Sequence, residues 1–343
     1  MDMDTSLDVC DALDAIRSSS VLRYILLSTI TWSIIAIPVN AMVIAATCKH
    51  NLVHYNIKWI IVTHLLCLIV HNVARIVNHA WDLINFSNTG FDCSFLPDSS
   101  RCVAVRLPSH MTMYLSFSTT FMLSLERCIA TSNLASYDKN RTVGPCLVFV
   151  QGLIAAVFIG AIYMWYELQR PLVYCLFASM TSISVLYLQI IIFLVFQVLA
   201  IIIFHFLLKF NLKMKVQLLT EGSKRLFSKG QVITKLYQVR ENLKTMETLF
   251  LFFLISCFVS FASNAFRGVV HYYKRDISQP TYIGLIELSI PIPPYSLVLP
   301  AVLWYSYRKV RRKIAEDHCN IRDLNTTSNI NRSHFNVLKE TWK

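Results

Sequence analysis

The chain has 343 residues, 55% of them hydrophobic and only 15% charged, with a net charge of +12 and a mean hydropathy of +0.50. A soluble protein needs roughly a quarter of its residues charged to cover its surface. Soluble, fibrous and disordered classes are therefore excluded, and a polytopic membrane protein is implied. The positive charge does not point to nucleic acid, because Lys and Arg stand in short segments between long apolar runs, as where loops face anionic lipid and cytosol.

Crossing a bilayer takes roughly 17–25 apolar residues. Seven stretches qualify, at about 24–48, 59–80, 107–125, 142–166, 182–208, 248–266 and 282–307. The expected fold is all-α, a seven-transmembrane helix bundle over residues 23–307. Residues 1–22 form a short N-terminal segment before it, and residues 308–343 a juxtamembrane helix and tail after it.

An odd number of spans puts the termini on opposite sides. With the N-terminus outside, 23 of the 32 basic residues fall on the cytoplasmic side, including nine between Lys209 and Glu247 and nine from Arg308 onward. The N-terminus carries Asp2, Asp4, Asp8, Asp11 and Asp14 and lacks a basic signal-peptide region. The N-terminus is therefore expected outside, with the first span an uncleaved anchor. The sequon Asn85-Phe86-Ser87 then lies in the first outside loop as a glycosylation acceptor, whereas those at Asn140, Asn325 and Asn331 would be cytosolic. Cys10, Cys93, Cys102 and Cys175 would face the oxidising side, an even number.

The chain contains no GxSxG, HExxH, P-loop or paired CxxC, and its histidines show no metal spacing. It is read as a non-enzyme with no metal and no cofactor. His64 and His71, seven apart in the second span, read as neutral histidines facing the bundle.

The third span is the informative one. Cys102 stands at its outer end and Glu126-Arg127 at its inner end, 25 residues apart, or about 37 Å of helix. A Cys102–Cys175 disulfide would pin the next outside loop over the bundle mouth as a lid. The acid-arginine pair reads as a switch: Glu126 holds Arg127 in the closed state, and helix motion frees the guanidinium for a cytosolic partner. The competing reading makes Arg127 an ordinary cytoplasmic-side charge.

Charges within spans are expensive. Arg75, Arg106 and Glu287 all fall about 25–30 Å from the cytosolic ends of their helices and should cluster near the outer mouth. Glu287 is expected to neutralise an arginine there or to meet a ligand cation. His110, Tyr114, Tyr187 and Asn264 are candidates to line the outer cavity with them.

Pro38, with Asn40 beside it, marks a kink in the first span, and Pro291, Pro293, Pro294 and Pro300 must break or kink the seventh. The basic run Arg308–Ile314 can lie along membrane lipid, and Cys319 beyond it is a palmitoylation candidate.

Several landmarks, in order, resemble the nematode serpentine chemoreceptors of the Sra superfamily, and most of all their class ab (Srab) branch. They are Ser20-Val21-Leu22-Arg23-Tyr24 and Ala36-Ile37-Pro38, then His54-Tyr55-Asn56-Ile57-Lys58, with His64, His71, Arg75, His79 and Asp82-Leu83 following. Next come Leu125–Thr131 with Tyr137, then Tyr237-Gln238-Val239-Arg240-Glu241-Asn242-Leu243 and Pro294–Pro300. The resemblance covers residues 20–315. It implies a G-protein-coupled receptor, with a small-molecule chemical ligand and a heterotrimeric G protein as partners. The implied site is the plasma membrane of chemosensory neurons, on their cilia. The chain departs from the rhodopsin-like receptors: it has no acid in mid-span two, no proline in span six and no NPxxY in span seven.

Two other classes of protein also have multiple spans. A seven-span ligand-gated cation channel in the inverted orientation would place Lys209–Glu247 outside, against the basic bias. A small-solute transporter would usually show internal repeats, and none is present.

Overall fold

Inside a bilayer the backbone has no water to bond to, so each crossing must satisfy its own N–H and C=O groups, which a helix does. The computed structural model describes residues 3–49, 54–87, 99–134, 137, 140–163, 174–176, 183–224 and 229–312. These form helices and no strand: α1 (Met3–Ser18), α2 (Ser20–Lys49), α3 (Tyr55–Ser87), α4 (Ser99–Ser132), α5 (Val143–Tyr163), α6 (Ile183–Lys224), α7 (Lys229–Tyr272), α8 (Gln279–Leu288) and α9 (292–312). Cys93, Cys319 and the tail beyond 312 lie outside the described residues.

Among the described residues, six helical segments are long and apolar enough to cross a membrane: α2, α3, α5, most of α6 and α7, and α8 with α9 taken together. The third expected span, in α4, falls short on hydropathy for a physical reason. α4 packs against α3, α5, α6 and α7 at once, and no residue from 109 to 127 is exposed. A helix that meets little lipid need not be apolar. Ser109, Thr112, Ser116, Ser118, Thr119, Thr120 and Ser124 are all buried on it. Several of them satisfy themselves on their own helix, Ser118 Oγ donating to the Tyr114 carbonyl and Thr119 Oγ1 to that of Leu115. The peripheral helices show the reverse pattern. Leu27, Ile34, Val157 and Ile202 stand exposed, as side chains facing hydrocarbon would.

The seventh span is broken where the prolines require it. α8 ends at Leu288, with the Ser289 amide donating to Leu285 and Ile286. Pro291 has no N–H to continue the ladder, and α9 restarts with the Tyr295 amide on the Pro291 carbonyl. α2 runs through Pro38 without interruption. Asn40 donates to Ala36 O and Ser296 O, both at 2.8 Å, and Asn72 of α3 donates to Ser296 Oγ at 3.0 Å. Ser296 thus ties α2 and α3 to α9.

The main core runs between α3, α4, α5, α6, α7 and α9 around Ile61, Phe117, Phe193, Phe252 and Leu299. At its centre His64 meets Thr119 Oγ1 at 2.9 Å and the Tyr295 hydroxyl at 3.2 Å. A second cluster caps the end of the bundle that holds α8: Ile16 of α1, Leu22 and Leu26 of α2, Phe86, Tyr174, Val270 and Ile283. α1 therefore packs as part of the bundle's end.

Candidate functional site

Two buried polar constellations sit at opposite ends of the bundle. The first lies beneath the Cys102–Cys175 disulfide, whose Cα atoms are 5.3 Å apart; Cys10 is also disulfide-bonded. Glu287, on the last turn of α8, is 2% exposed. One carboxylate oxygen accepts from Arg75 Nη1 of α3 and the other from Arg106 Nη1 of α4 at 3.0 Å. The disulfide brings Tyr174 onto this group: its hydroxyl lies 3.2 Å from Glu287 Oε1 and 3.1 Å from Asp82 Oδ2, and accepts from Arg106 Nη2 at 3.2 Å. Burial, with the carboxylates of Asp82 and Glu287 adding to it, pushes the Tyr174 phenol well above its ordinary value. His79 stands 3.8 Å from both acids.

The remaining cavity candidates are more dispersed. His110 and Tyr114 follow Arg106 down the same face of α4 at one-turn intervals. His110 Nδ1 lies 3.3 Å from the Tyr163 hydroxyl, and the Tyr114 hydroxyl donates to Gln189 Oε1 at 2.8 Å. The Tyr114 ring stacks on Phe193 at 5.3 Å. Asn264 is buried and donates to its own helix at Ser260 O. Tyr187 is half-buried on α6. Asn85 lies in the last turn of α3 at this same end.

The second constellation surrounds Arg127. Consecutive residues on a helix do not normally face each other, yet Glu126 takes Arg127 in a fork, Nε to Oε2 at 2.5 Å and Nη2 to Oε1 at 2.6 Å. Glu126 is fully buried and Arg127 is 2% exposed. The Tyr137 hydroxyl donates to Glu126 Oε1. Arg127 Nη1 crosses to Asn242 Oδ1 on α7 at 2.6 Å. Asn242 Nδ2 in turn reaches Thr131 Oγ1 at 2.8 Å and Asn211 Oδ1 of α6 at 3.1 Å. One arginine thus holds α4 to α7, with α6 drawn in through the two asparagines. Two clefts open at this end, the first beside Arg127. One of 730 Å³ is lined by Cys128, Thr131, Phe206, Phe210 and Lys235, and one of 390 Å³ by Met246, Phe250, Tyr305 and Lys309.

Of these residues, Arg75, Arg106, Glu287, Glu126 and Arg127 are expected from the sequence as site residues, whereas Asp82, Tyr174, Arg267, Asn242 and Tyr137 are not. Tyr174 had a signal in its neighbour Cys175, and Asn242 in the YQVREN stretch. Arg267 stands one residue beyond the expected end of span six at Phe266, but α7 continues to Tyr272. Among the described residues no group of His, Cys, Asp or Glu is placed to hold a metal ion.

The chain is a helical membrane bundle with a disulfide-tethered, charge-bonded end and an acid-held arginine at the other. The family model for serpentine type 7TM GPCR receptor class ab chemoreceptors matches residues 8–343, and the chain belongs to that family. It is a seven-transmembrane, multi-pass membrane protein of the chemoreceptor class. No curated protein matches it.

Proposed function

We propose that this receptor binds a small chemical ligand at the disulfide-bearing end and answers by releasing Arg127 toward a heterotrimeric G protein at the opposite end. The N-terminus then lies outside and the clefts at the Arg127 end open to the cytosol, at the plasma membrane of a sensory cell and on its cilia. The observation that carries this reading is the buried Arg127 fork. A bidentate arginine-carboxylate pair is strong and directional, and this one is tied to α7 by a single neutral asparagine. Outward movement of α7 would break the Asn242 bond first, leaving Glu126 and Tyr137 as the contacts that a G-protein segment must displace to take Arg127. The basic bias of residues 209–247, which include the end of α6 and the start of α7, supports the same orientation.

The test is agonist-independent G-protein activation in cells expressing the full chain. Arg127→Ala should abolish coupling per receptor at the surface, the surface amount being read by an N-terminal epitope. Full coupling in that variant would remove Arg127 from the switch.

A further inference from the structure

The receptor reading leaves one buried charge unused. Arg267 lies on α7, five residues before the helix ends, and is 4% exposed. A guanidinium so near a helix end could reach the interface along its own stem. It turns inward instead. Nη2 lies 3.4 Å from Met113 Sδ on α4, and Nε lies 3.4 Å from Ser289 Oγ in the α8–α9 break. Met113 is seven residues deeper along α4 than Arg106.

Those partners do little for a charge. A thioether is a weak acceptor, and Ser289 Oγ is a neutral one at a long 3.4 Å. Arginine does not shed its proton in proteins. Both oxygens of Glu287 are taken by Arg75 and Arg106, and Asp82 faces Arg106 and His79. Among the described residues no carboxylate lies within 4.0 Å of Arg267. Three buried guanidiniums at this end thus share two carboxylates.

The surroundings repeat the deficit. Arg75, whose charge acts on Arg267, has an Nε–H with no acceptor. Asn78, one turn further along α3 and 2% exposed, has neither its amide nitrogen nor its oxygen partnered. Buried polar atoms are normally satisfied, so this region offers donors that the protein itself does not fill. Nearby lies a packed aromatic cluster. The Arg267 charge reaches Tyr114, which stacks on Phe193 and lies 5.6 Å from Phe158.

Resting on the receptor reading above, we propose that Arg267 anchors a carboxylate, and that the ligand of this receptor is a small organic acid with an apolar body. A planar carboxylate accepts two parallel N–H bonds from a guanidinium, supplies the missing negative charge, and points its hydrocarbon part toward the packed rings of Tyr114 and Phe193, which must part to admit it. A neutral ligand would leave Arg267 buried and uncompensated.

The experiment reads binding without signalling: thermal unfolding of the detergent-purified full chain with sodium acetate, hexanoate or benzoate, the matched amides, or sodium chloride. At least one apolar acid should raise the midpoint of the wild type by several degrees, while its amide and chloride do not. Arg267→Met should melt at or above the ligand-free wild type, since it removes an uncompensated buried charge, and should lose the acid-dependent shift. Arg75→Met should melt lower, because it strips a partner from Glu287. The proposal is overturned if no acid outperforms its amide, if chloride reproduces the shift, or if Arg267→Met melts as low as Arg75→Met, which would make Arg267 a structural cation. None of these outcomes touches agonist-independent coupling through Arg127, so the receptor reading stands or falls separately.

Discussion

Arg127 and Asn242 are 115 residues apart in the chain, and their side chains meet at 2.6 Å. That bond is the direct link between the arginine of α4 and the helix α7. Asn242 also bonds Thr131 and Asn211, so one amide secures three helices at the end opposite the disulfide.

Asn242→Ala should therefore loosen α7 without removing the arginine. Losing hydrogen bonds from a buried charged partner costs about 1–3 kcal/mol. The expected result is raised basal G-protein activation with near-normal surface expression, measured beside Arg127→Ala, in which activation should vanish. If Asn242→Ala stays silent while the wild type signals, Asn242 holds the fold and not the switch.

Glu287 is the point on which the other end turns. Its removal leaves Arg75 and Arg106 facing each other across a buried space, and breaking a buried ion pair by deleting one partner costs about 3–5 kcal/mol. Glu287→Gln should reduce cell-surface receptor strongly and lower the unfolding midpoint of what is purified. A triple Arg75→Met, Arg106→Met, Glu287→Met variant should recover much of that loss, because replacing a whole buried ion group by apolar side chains is often neutral. Equal damage in the single and triple variants would show that the charges do more than balance one another.

Much of this architecture is legible in the sequence, because the bilayer makes the rules strict. A charge in a span is expensive, so Arg75, Arg106 and Glu287 stand out by position alone, and prolines at 291, 293 and 294 force the break between α8 and α9. Reading the third span took its flanking charges as well as its hydropathy, since α4 is buried by protein and can be rich in hydroxyls. What periodicity does not carry is pairing across the chain. Nothing local says that Asn242 will face Arg127, or that Tyr174 will be drawn onto Glu287. Arg267 was missed because the helix outlasts the apolar run: hydropathy ends at Phe266, but hydrogen bonding carries α7 on to Tyr272.

The disulfide is expected to act through Tyr174. Cys102→Ser frees the segment that carries this tyrosine and, with the two cysteines 73 positions apart in the chain, removes a cross-link worth about 2–4 kcal/mol. Tyr174→Phe keeps the ring in the cap and deletes only the hydroxyl between Asp82, Arg106 and Glu287. The cysteine variant should lower the unfolding midpoint clearly, and the phenylalanine variant by a smaller amount. A larger loss in Tyr174→Phe would mean that the polar group, and not the tether, organises this end.

Gly144 sets how closely α5 approaches α3. Its amide donates to Asn56 Oδ1 at 3.1 Å, and a Cβ there would stand 2.4 Å from the Asn56 carbonyl oxygen and 2.6 Å from its Cα. Those are backbone atoms of a helix and cannot swing aside. Gly144→Ala should cost about 1–3 kcal/mol by overpacking, seen as a lower unfolding midpoint, whereas Gly152→Ala, with open space around it, should leave the midpoint unchanged. Small-residue contacts of this kind let membrane helices approach closely, so Gly144→Ala should also part α3 from α5 next to Asn140, whose carbonyl accepts from Asn56 at 2.8 Å.

Orientation decides which end meets the ligand, and Asn85 reports it. The residue lies in the last turn of α3, at the same end as the Cys102–Cys175 bond, and both glycan addition and disulfide formation belong to the lumenal and extracellular side. Enzymatic deglycosylation of expressed receptor should increase its gel mobility, and Asn85→Gln should abolish that change while Asn325→Gln leaves it intact. With Asn85 outside, Arg267 and Glu287 lie at the extracellular mouth and Arg127 faces the cytosol. A shift that depends on Asn325 instead would invert the bundle, put Arg127 outside, and withdraw the G-protein reading in favour of a search for conductance.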